Sequence, residues 1–300
     1  MIKSLKARRI ISNTIIYVIL IAMSIVWLLP IAWLVLQSFG DGGIGLKQQL
    51  IPKQFTFNNY LYLFSNLTGK IDPIASNHSL DGYFLTWFGN TLIVAILTCI
   101  ISTVFVLGTA YALSRFRFKA RTAFMKVNLV IGMFPGFLGM FISYAMLKKL
   151  GLYQGYLGLA GLVLISIAGS AGGYYISKGF FDTISKSLDE AAMIDGANKN
   201  TIFWQVIMPL SKPIIVYTLL MGFTGPWGDY MFASVIAGGD SKIYNVAVGL
   251  QQMLSKGYVQ ETVFPQFCAA AVVVSIPIMI LFFKLQNYYV EGVTGGAVKG

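Results

Sequence analysis

Charge is scarce in this chain. Only 11% of its 300 residues are charged, where a soluble domain carries about 25%. So few ionic side chains cannot cover a water-facing surface of this size. With 56% hydrophobic residues and a mean hydropathy of +0.72, lipid must be part of the solvent. Acids are scarcest, 11 against 22 basic residues. The net charge of +11 does not suggest a nucleic-acid partner. The basic residues fall in short clusters between apolar segments, the pattern of membrane topology, and not on one face of a soluble domain. The two cysteines, Cys99 and Cys268, lie inside apolar runs. They are expected to be small buried hydrophobes, with no disulfide framework and no metal site. The single histidine, His78, sits in a polar stretch, and no nucleophile–base pair is evident. There is no Gly-x-x-x-x-Gly-Lys-Ser/Thr phosphate loop, so the chain is not expected to bind ATP itself. It also shows no internal repeat of about 20–50 residues, which argues against a transporter built from inverted repeats within one chain.

What is present is a set of long apolar segments: Ile10–Leu36, Leu85–Leu113, Phe124–Leu147, Tyr156–Ser177, Leu210–Ile236 and Gln266–Leu285. Each meets the requirement of about 20 residues for a membrane-crossing helix. The fold class expected is all-α, a polytopic membrane protein with six transmembrane helices. The first segment is too long for the apolar region of a cleaved signal peptide. Basic residues set the orientation. The N-tail (residues 1–9), the connections around Arg115–Lys126 and Lys178–Lys212, and the C-terminal end hold fifteen of the 22. The positive-inside rule makes that side cytoplasmic, with both termini on it. Lys148 and Lys149 go against the rule, sitting together on the outer side. Two outer connections, Gln37–Phe84 and Ala237–Pro265, are long and polar; each is either a surface for an external partner or a passive connector. Gly132 with Gly136, and Gly169 with Gly173, have the spacing of close helix packing in lipid. The domain plan is an N-tail at 1–9, a six-helix domain at 10–285 with a cytoplasmic loop at 180–209, and a C-tail at 286–300.

That loop is unusually structured. From Phe180 to Pro213 the chain reads FFDTISKSLDEAAMIDGANKNTIFWQVIMPLSKP. Ser187 with Glu190 fits a capping box. Ala191, Ala192 and Met193 are good helix formers, and Gly196 is a natural stop. Asn200 or Thr201 can cap a second short helix through Ile207. The expectation is helix, sharp turn, helix, with apolar residues such as Ile202, Phe203 and Trp204 left near water.

Glu190-Ala191-Ala192, then Gly196, Val206 and Pro209, resembles the EAA loop of permease subunits from binding-protein-dependent ABC importers. The family's usual form is Glu-Ala-Ala, three residues, Gly, nine residues, Ile, one residue, Leu-Pro. Here Val206 and Met208 stand for the Ile and Leu, and Ser185 stands where the family often has Pro. The rest of the chain, from Pro30 to Gly300, is similar to the carbohydrate branch and nearest its maltose-type G subunits. The matching pieces include Asn59-Tyr60, Asn90-Thr91, Ala110-Tyr111-Ala112, Arg115-Phe116-Arg117-Phe118, Phe134-Pro135, Trp227-Gly228-Asp229-Tyr230, Val246 to Gln251, and the tail from Val290.

The resemblance implies the type I ABC importer permease fold and import of a maltodextrin-type oligosaccharide by alternating access. The implied partners are a second homologous permease, an ATPase dimer, and an extracellular or periplasmic sugar-binding protein. The setting is a bacterial plasma (inner) membrane. No cofactor belongs to this chain; ATP and Mg sit on the partner ATPase. Glu190, Ala191, Ala192, Asp195, Gly196 and Pro209 are the implied ATPase-coupling residues. Gly295, Gly296 and Lys299 are a candidate tail contact with the same partner, or a frayed terminus. Trp227 and Asp229 are candidate pore-lining residues. An acid at membrane depth is a functional hypothesis, yet the span is long enough to put Trp227 at an interface and Asp229 in water. The rival readings are a self-contained channel or secondary transporter, which needs ionisable residues in its spans, and a membrane scaffold.

Overall fold

A computed structural model describes residues 5–41, 51–64, 84–134, 136–257 and 263–297, with the side chains at 5–7, 137, 171, 256–257 and 289–297 outside that description. The described residues are helical apart from short connections and one isolated bridge between Gly40 and Phe55. The chain divides into two compact units, Met1–Asn77 with Leu250–Val273, and His78–Gly249 with Val274–Gly300.

In the first unit, helix α1 (Leu5–Ser38) starts inside the expected N-tail and runs through Pro30. Its most apolar 18 residues include none that is buried; only toward its end do half-buried Trp33, beside Phe264, and buried Gln37 and Ser38 meet the rest of the unit. An apolar stretch left uncovered in this way requires lipid or another chain. Helix α2 (Asn58–Leu63) is anchored to its end, because the Asn59 amide donates to the carbonyls of Ser38 (2.9 Å) and Gly40 (2.8 Å).

The second unit is organised around α3 (Phe84–Arg115), which falls where the second span was expected. Its buried face carries Val94, Thr98, Ser102, Val106 and Ala110, spaced one helical turn apart. Three other expected spans are broken. Phe124–Leu147 is two helices, α4 (Arg121–Gly132) and α5 (Gly136–Lys149). Tyr156–Ser177 is α6 (Gly155–Gly169) and α7 (Tyr174–Thr183), bent by 42° across a 3₁₀ turn at Ser170–Gly173. Leu210–Ile236 is α10 (Lys212–Gly228), then a break at Asp229 and Tyr230, then a short α11 (Met231–Ala237). Among the described residues, three single helices are long and apolar enough to cross a membrane, or five segments if α6 with α7, and Lys199–Leu210 with α10, each count as one. Summed hydropathy does not register these breaks. Pro226 is tolerated within α10, and Gly228 ends it.

Between α7 and α10 lies the loop at 180–209. It holds α8 (Lys186–Ile194) and α9 (Lys199–Leu210). After α11 come a 3₁₀ turn (Ser241–Ile243), α12 (Val246–Gly257) and α13 (Val263–Ala297). α13 continues past Leu285, where the sixth span was expected to end. His78 and Lys299 lie outside the described residues.

Candidate functional site

The 180–209 segment folds as the expected helix–turn–helix, with different caps. Ser185, extended after Ile184, is the N-cap of α8, and its hydroxyl accepts from the Ser187 N–H at 3.3 Å. Ser187, expected as the cap, is already inside the helix. The second cap is Asn198, and not Asn200 or Thr201: its side-chain oxygen accepts from the N–H (2.9 Å) and hydroxyl (3.1 Å) of Thr201. Between the helices, Gly196 takes φ +84°. Its N–H donates to Met193 O (3.1 Å) and Ala197 N–H to Ala192 O (2.9 Å). This is a Schellman turn, and it satisfies the carbonyls that the end of α8 leaves open.

α9 widens into a π-turn over Ile202–Ile207 just before Pro209. Proline lacks an N–H and its ring collides with the carbonyl four residues back; a wider turn relieves both problems. The last carbonyl is rescued by a side chain, since the buried Ser211 hydroxyl donates to Ile207 O at 2.7 Å. The chain then turns by 83° into α10.

The hairpin is fixed to the bundle by apolar packing and by charge. Ile202, Ile207 and Met208 share one buried cluster with Leu107, Tyr111, Phe181 and Ile214. The Tyr111 ring meets Phe203 edge-on at 4.7 Å between centroids. Sequence reading missed the ionic clamp. Asp189 is 8% exposed, and its Oδ2 lies 3.0 Å from Nε of buried Arg115. Arg115 Nη2 also donates to Ile184 O at 3.0 Å. The last residue of α3 therefore holds both the start and the body of α8. Next to Arg115, the Ser114 hydroxyl donates to Asp182, which also pairs with Lys178. The sequence shows an acid beside Glu190, but nothing local says that it turns inward to Arg115.

The other face of the hairpin is bare. Glu190, Ala191, Asp195, Gly196 and Pro209 are exposed and Ala192 half-buried. Around them Leu188, Met193 and Trp204 are exposed, and Ile194 is 86% exposed. A rigid element that shows large apolar side chains to water has the character of an interface. Gly295 and Gly296 fall in the last turns of α13, whose side chains are outside the described set.

The remaining candidates lie at the opposite end of the second unit. Trp227 is buried, edge-on to Phe88 at 5.5 Å. Asp229 borders a cavity of about 360 Å³ between α3, the α6–α7 bend and α10. Its Oδ1 accepts from Phe232 N–H at 3.1 Å. The segment after it is tied to the start of α3. Trp87 Nε1 donates to Ser241 O (2.8 Å), the Asn90 amide to Lys242 O (2.9 Å) and Tyr244 O (3.0 Å), and Val246 N–H to the Thr91 hydroxyl (2.8 Å). Asn245 joins that segment back to Asp229 O at 2.7 Å.

Residues 104–295 match the family described as binding-protein-dependent transport system inner membrane component. The chain is 34% identical to the galactooligosaccharides transport system permease protein GanQ of Bacillus subtilis, over 100% of both chains. It is 31% identical to the maltodextrin transport system permease protein MalD of Streptococcus pneumoniae, over 99% of both. It is also 31% identical to the maltose/maltodextrin transport system permease protein MalG of Escherichia coli K12, over 99% of this chain and 98% of that one. A crystal structure of a bacterial ABC transporter that imports the acidic polysaccharide alginate has the same fold, with a TM-score of 0.70 at 23% identity, over 96% of this chain and 99% of that one.

Proposed function

Because the chain belongs to the family of binding-protein-dependent transport system inner membrane components, we propose that it is one of two permease subunits of an ATP-driven sugar importer with a maltodextrin-type oligosaccharide as cargo. Six membrane crossings, with both termini in the cytoplasm, fit the distribution of basic residues. The partners are a second homologous permease, an ATPase dimer and an external sugar-binding protein. ATP and Mg are held by the ATPase. Relatives named for galactooligosaccharides and for maltodextrin support a neutral oligosaccharide as cargo.

The hairpin carries this reading. It is clamped to α3 by Arg115 and Asp189, continues into α10 through the 83° turn, and bares Leu188, Glu190, Met193 and Ile194. An ATPase groove that grips that edge would pull on α3 and α10 together. Small residues at Ala191, Ala192 and Gly196 let such a groove approach closely. The tail at Gly295, Gly296 and Lys299 would be a second contact with the same partner.

The test is purification of the chain from its native membrane in mild detergent, with mass spectrometry of what accompanies it. An ATPase and a second permease should co-purify, and ATP hydrolysis by the complex should rise with a sugar-loaded binding protein. Maltodextrins and galactooligosaccharides are compared as the sugar; stimulation by galactooligosaccharides alone would overturn the maltodextrin assignment. Recovery of the chain alone, or only with copies of itself, would overturn the permease reading.

A further inference from the structure

The corner between α3 and α4 gathers positive charge that its own stretch of chain does not neutralise. Arg117, Lys119, Arg121 and Lys126 lie close together, and no acid occurs between Asp81 and Asp182. Arg117, Lys119 and Lys126 are exposed, and among the described residues none of them is in an ion pair. Arg121 acts on Asp182, which Lys178 already holds. A further cation comes from the hairpin. Exposed Lys199, at the start of α9, places its Nζ 5.2 Å from the centre of the Phe116 ring. The corner has a fixed backbone. Phe116 N–H donates to Ala112 O at 3.0 Å, and Arg121 N–H to Phe118 O at 3.2 Å. The Phe116 ring also sits edge-on to Tyr111 at 5.7 Å, which ties the corner to the buried cluster that carries the hairpin.

The surroundings say which anion fits. Phe116 and Phe118 stand among the cations at 38% and 46% exposure. Beyond them α4 becomes largely apolar, with Phe124, Val127, Leu129 and Val130 exposed. A surface that changes from cationic and aromatic to apolar along one short stretch has the character of the boundary between headgroups and hydrocarbon. The length of α3 agrees. Its 32 residues make about 48 Å of helix, against a hydrocarbon core of about 30 Å, so its end stands in the headgroup layer. Clusters of about four to eight basic residues just cytoplasmic of a span attract anionic lipid, and a free guanidinium can meet a phosphate with two parallel hydrogen bonds. Topology alone asks only for basic residues on this side. It does not ask for exposed rings between them or for a fixed backbone beneath them.

We infer that the α3–α4 corner, with Lys199 of the hairpin, is a docking surface for the headgroups of anionic phospholipids. Arg117, Lys119, Lys126 and Lys199 hold the phosphates, and Phe116 and Phe118 seat the corner in the interface. The inference goes beyond the permease reading and holds whatever the cargo. Because Lys199 belongs to α9 and Arg117 lies just past α3, the lipid touches both sides of the joint between hairpin and bundle.

The test uses the full chain with its co-purified partners, carrying the photocrosslinker benzoylphenylalanine in place of Phe118. It is reconstituted in vesicles of equal parts phosphatidylethanolamine and phosphatidylglycerol. A basic residue near an anionic surface contributes about fivefold in affinity. Illumination should therefore capture phosphatidylglycerol at least about fivefold more often than phosphatidylethanolamine. Raising the salt, which screens exposed charges, should bring the two lipids toward equal capture. Arg117→Gln, Lys119→Gln, Lys126→Gln and Lys199→Gln combined should do the same, with total capture of lipid kept. The salt series keeps every charge in place, so it decides even where the combined variant does not accumulate. Equal capture of the two lipids with all the cations present would show a corner without headgroup preference. Capture of a protein would show that the cations face an acidic partner surface. Enrichment that survives both salt and substitution would show that these residues do not make it. Any one of these results overturns the inference.

Discussion

Asp189 and Glu190 are neighbours in sequence with opposite surroundings. Asp189 faces Arg115 inside the protein, while Glu190 points into solvent. Removing one partner of a buried ion pair leaves the other charge stranded, at about 3–5 kcal/mol, whereas replacing both with apolar residues of similar size can be nearly neutral. Asp189→Ala should therefore release α8 from α3. At about 3 kcal/mol the opened hairpin becomes roughly 100-fold more populated, read as faster amide hydrogen exchange across residues 186–197. The pair Arg115→Met with Asp189→Leu should restore most of that protection. Exchange in Asp189→Ala as slow as in the unmodified chain would show that the clamp does not hold the hairpin. Glu190→Lys should behave differently: exchange within the chain should not change, and recovery of the ATPase should fall. Only the second of these acids was legible beforehand. The motif singles out Glu190, but which of two adjacent carboxylates turns inward depends on where Arg115 ends α3, and no local pattern reports that.

At the scale of the element, the turn after α8 depends on backbone conformation more than on contacts. Nothing lies within 4 Å of the place where a Cβ on Gly196 would be, but its φ of +84° is one that side-chain-bearing residues rarely adopt. Gly196→Ala should cost about 1–2 kcal/mol through that conformation alone. Gly196→Pro should cost more, because it forces φ near −65° and removes the N–H that bonds Met193 O. Thermal unfolding of the purified complex and ATPase recovery should fall in the order unmodified, alanine, proline. A proline variant that unfolds and couples normally would show that the turn is not needed as drawn. Gly196 was readable in the sequence because glycine at a helix stop has one dominant physical cause. The caps were harder to read. Ser187 and Glu190 satisfied a capping pattern, yet Ser185 follows the extended Ile184 and so starts the helix two residues sooner. The breaks after Gly132 and at Asp229 do not register in hydropathy, though the Phe134-Pro135 match and the cluster of Gly225, Pro226 and Gly228 mark where they fall. Hydropathy reports what a segment is dissolved in, and a bent pair of helices scores like a straight one.

At the scale of the molecule, the broken α4–α5 segment decides the topology. The hairpin shares a cytoplasmic side with the N-tail only if an even number of crossings separates them, and the candidates are α1, α3, α4–α5 and α6–α7. Neither α4 nor α5 is long enough to cross alone, but together they supply 12 and 14 residues. That is roughly 39 Å of helix at 1.5 Å per residue, against a hydrocarbon core of about 30 Å. The second unit has two distinguishable ends. At one, the Tyr175 hydroxyl bonds Met125 O at the start of α4, near Arg115 and the hairpin. At the other, α5 and α6 pack on α11, beyond the far end of α10. The α4–α5 pair therefore runs from the hairpin end to the opposite end, which carries Lys148 and Lys149 away from the other basic clusters. On the proposed topology those two exposed lysines are the exception to the positive-inside pattern. In right-side-out vesicles carrying a Cys99→Ala, Cys268→Ala chain, Lys149→Cys should react with a membrane-impermeant maleimide. Arg117→Cys and Ser187→Cys should react only after permeabilisation. If Arg117→Cys and Lys149→Cys were labelled from the same side, α4–α5 would be a re-entrant loop, the crossings before the hairpin would be odd in number, and the hairpin could not meet a cytoplasmic ATPase.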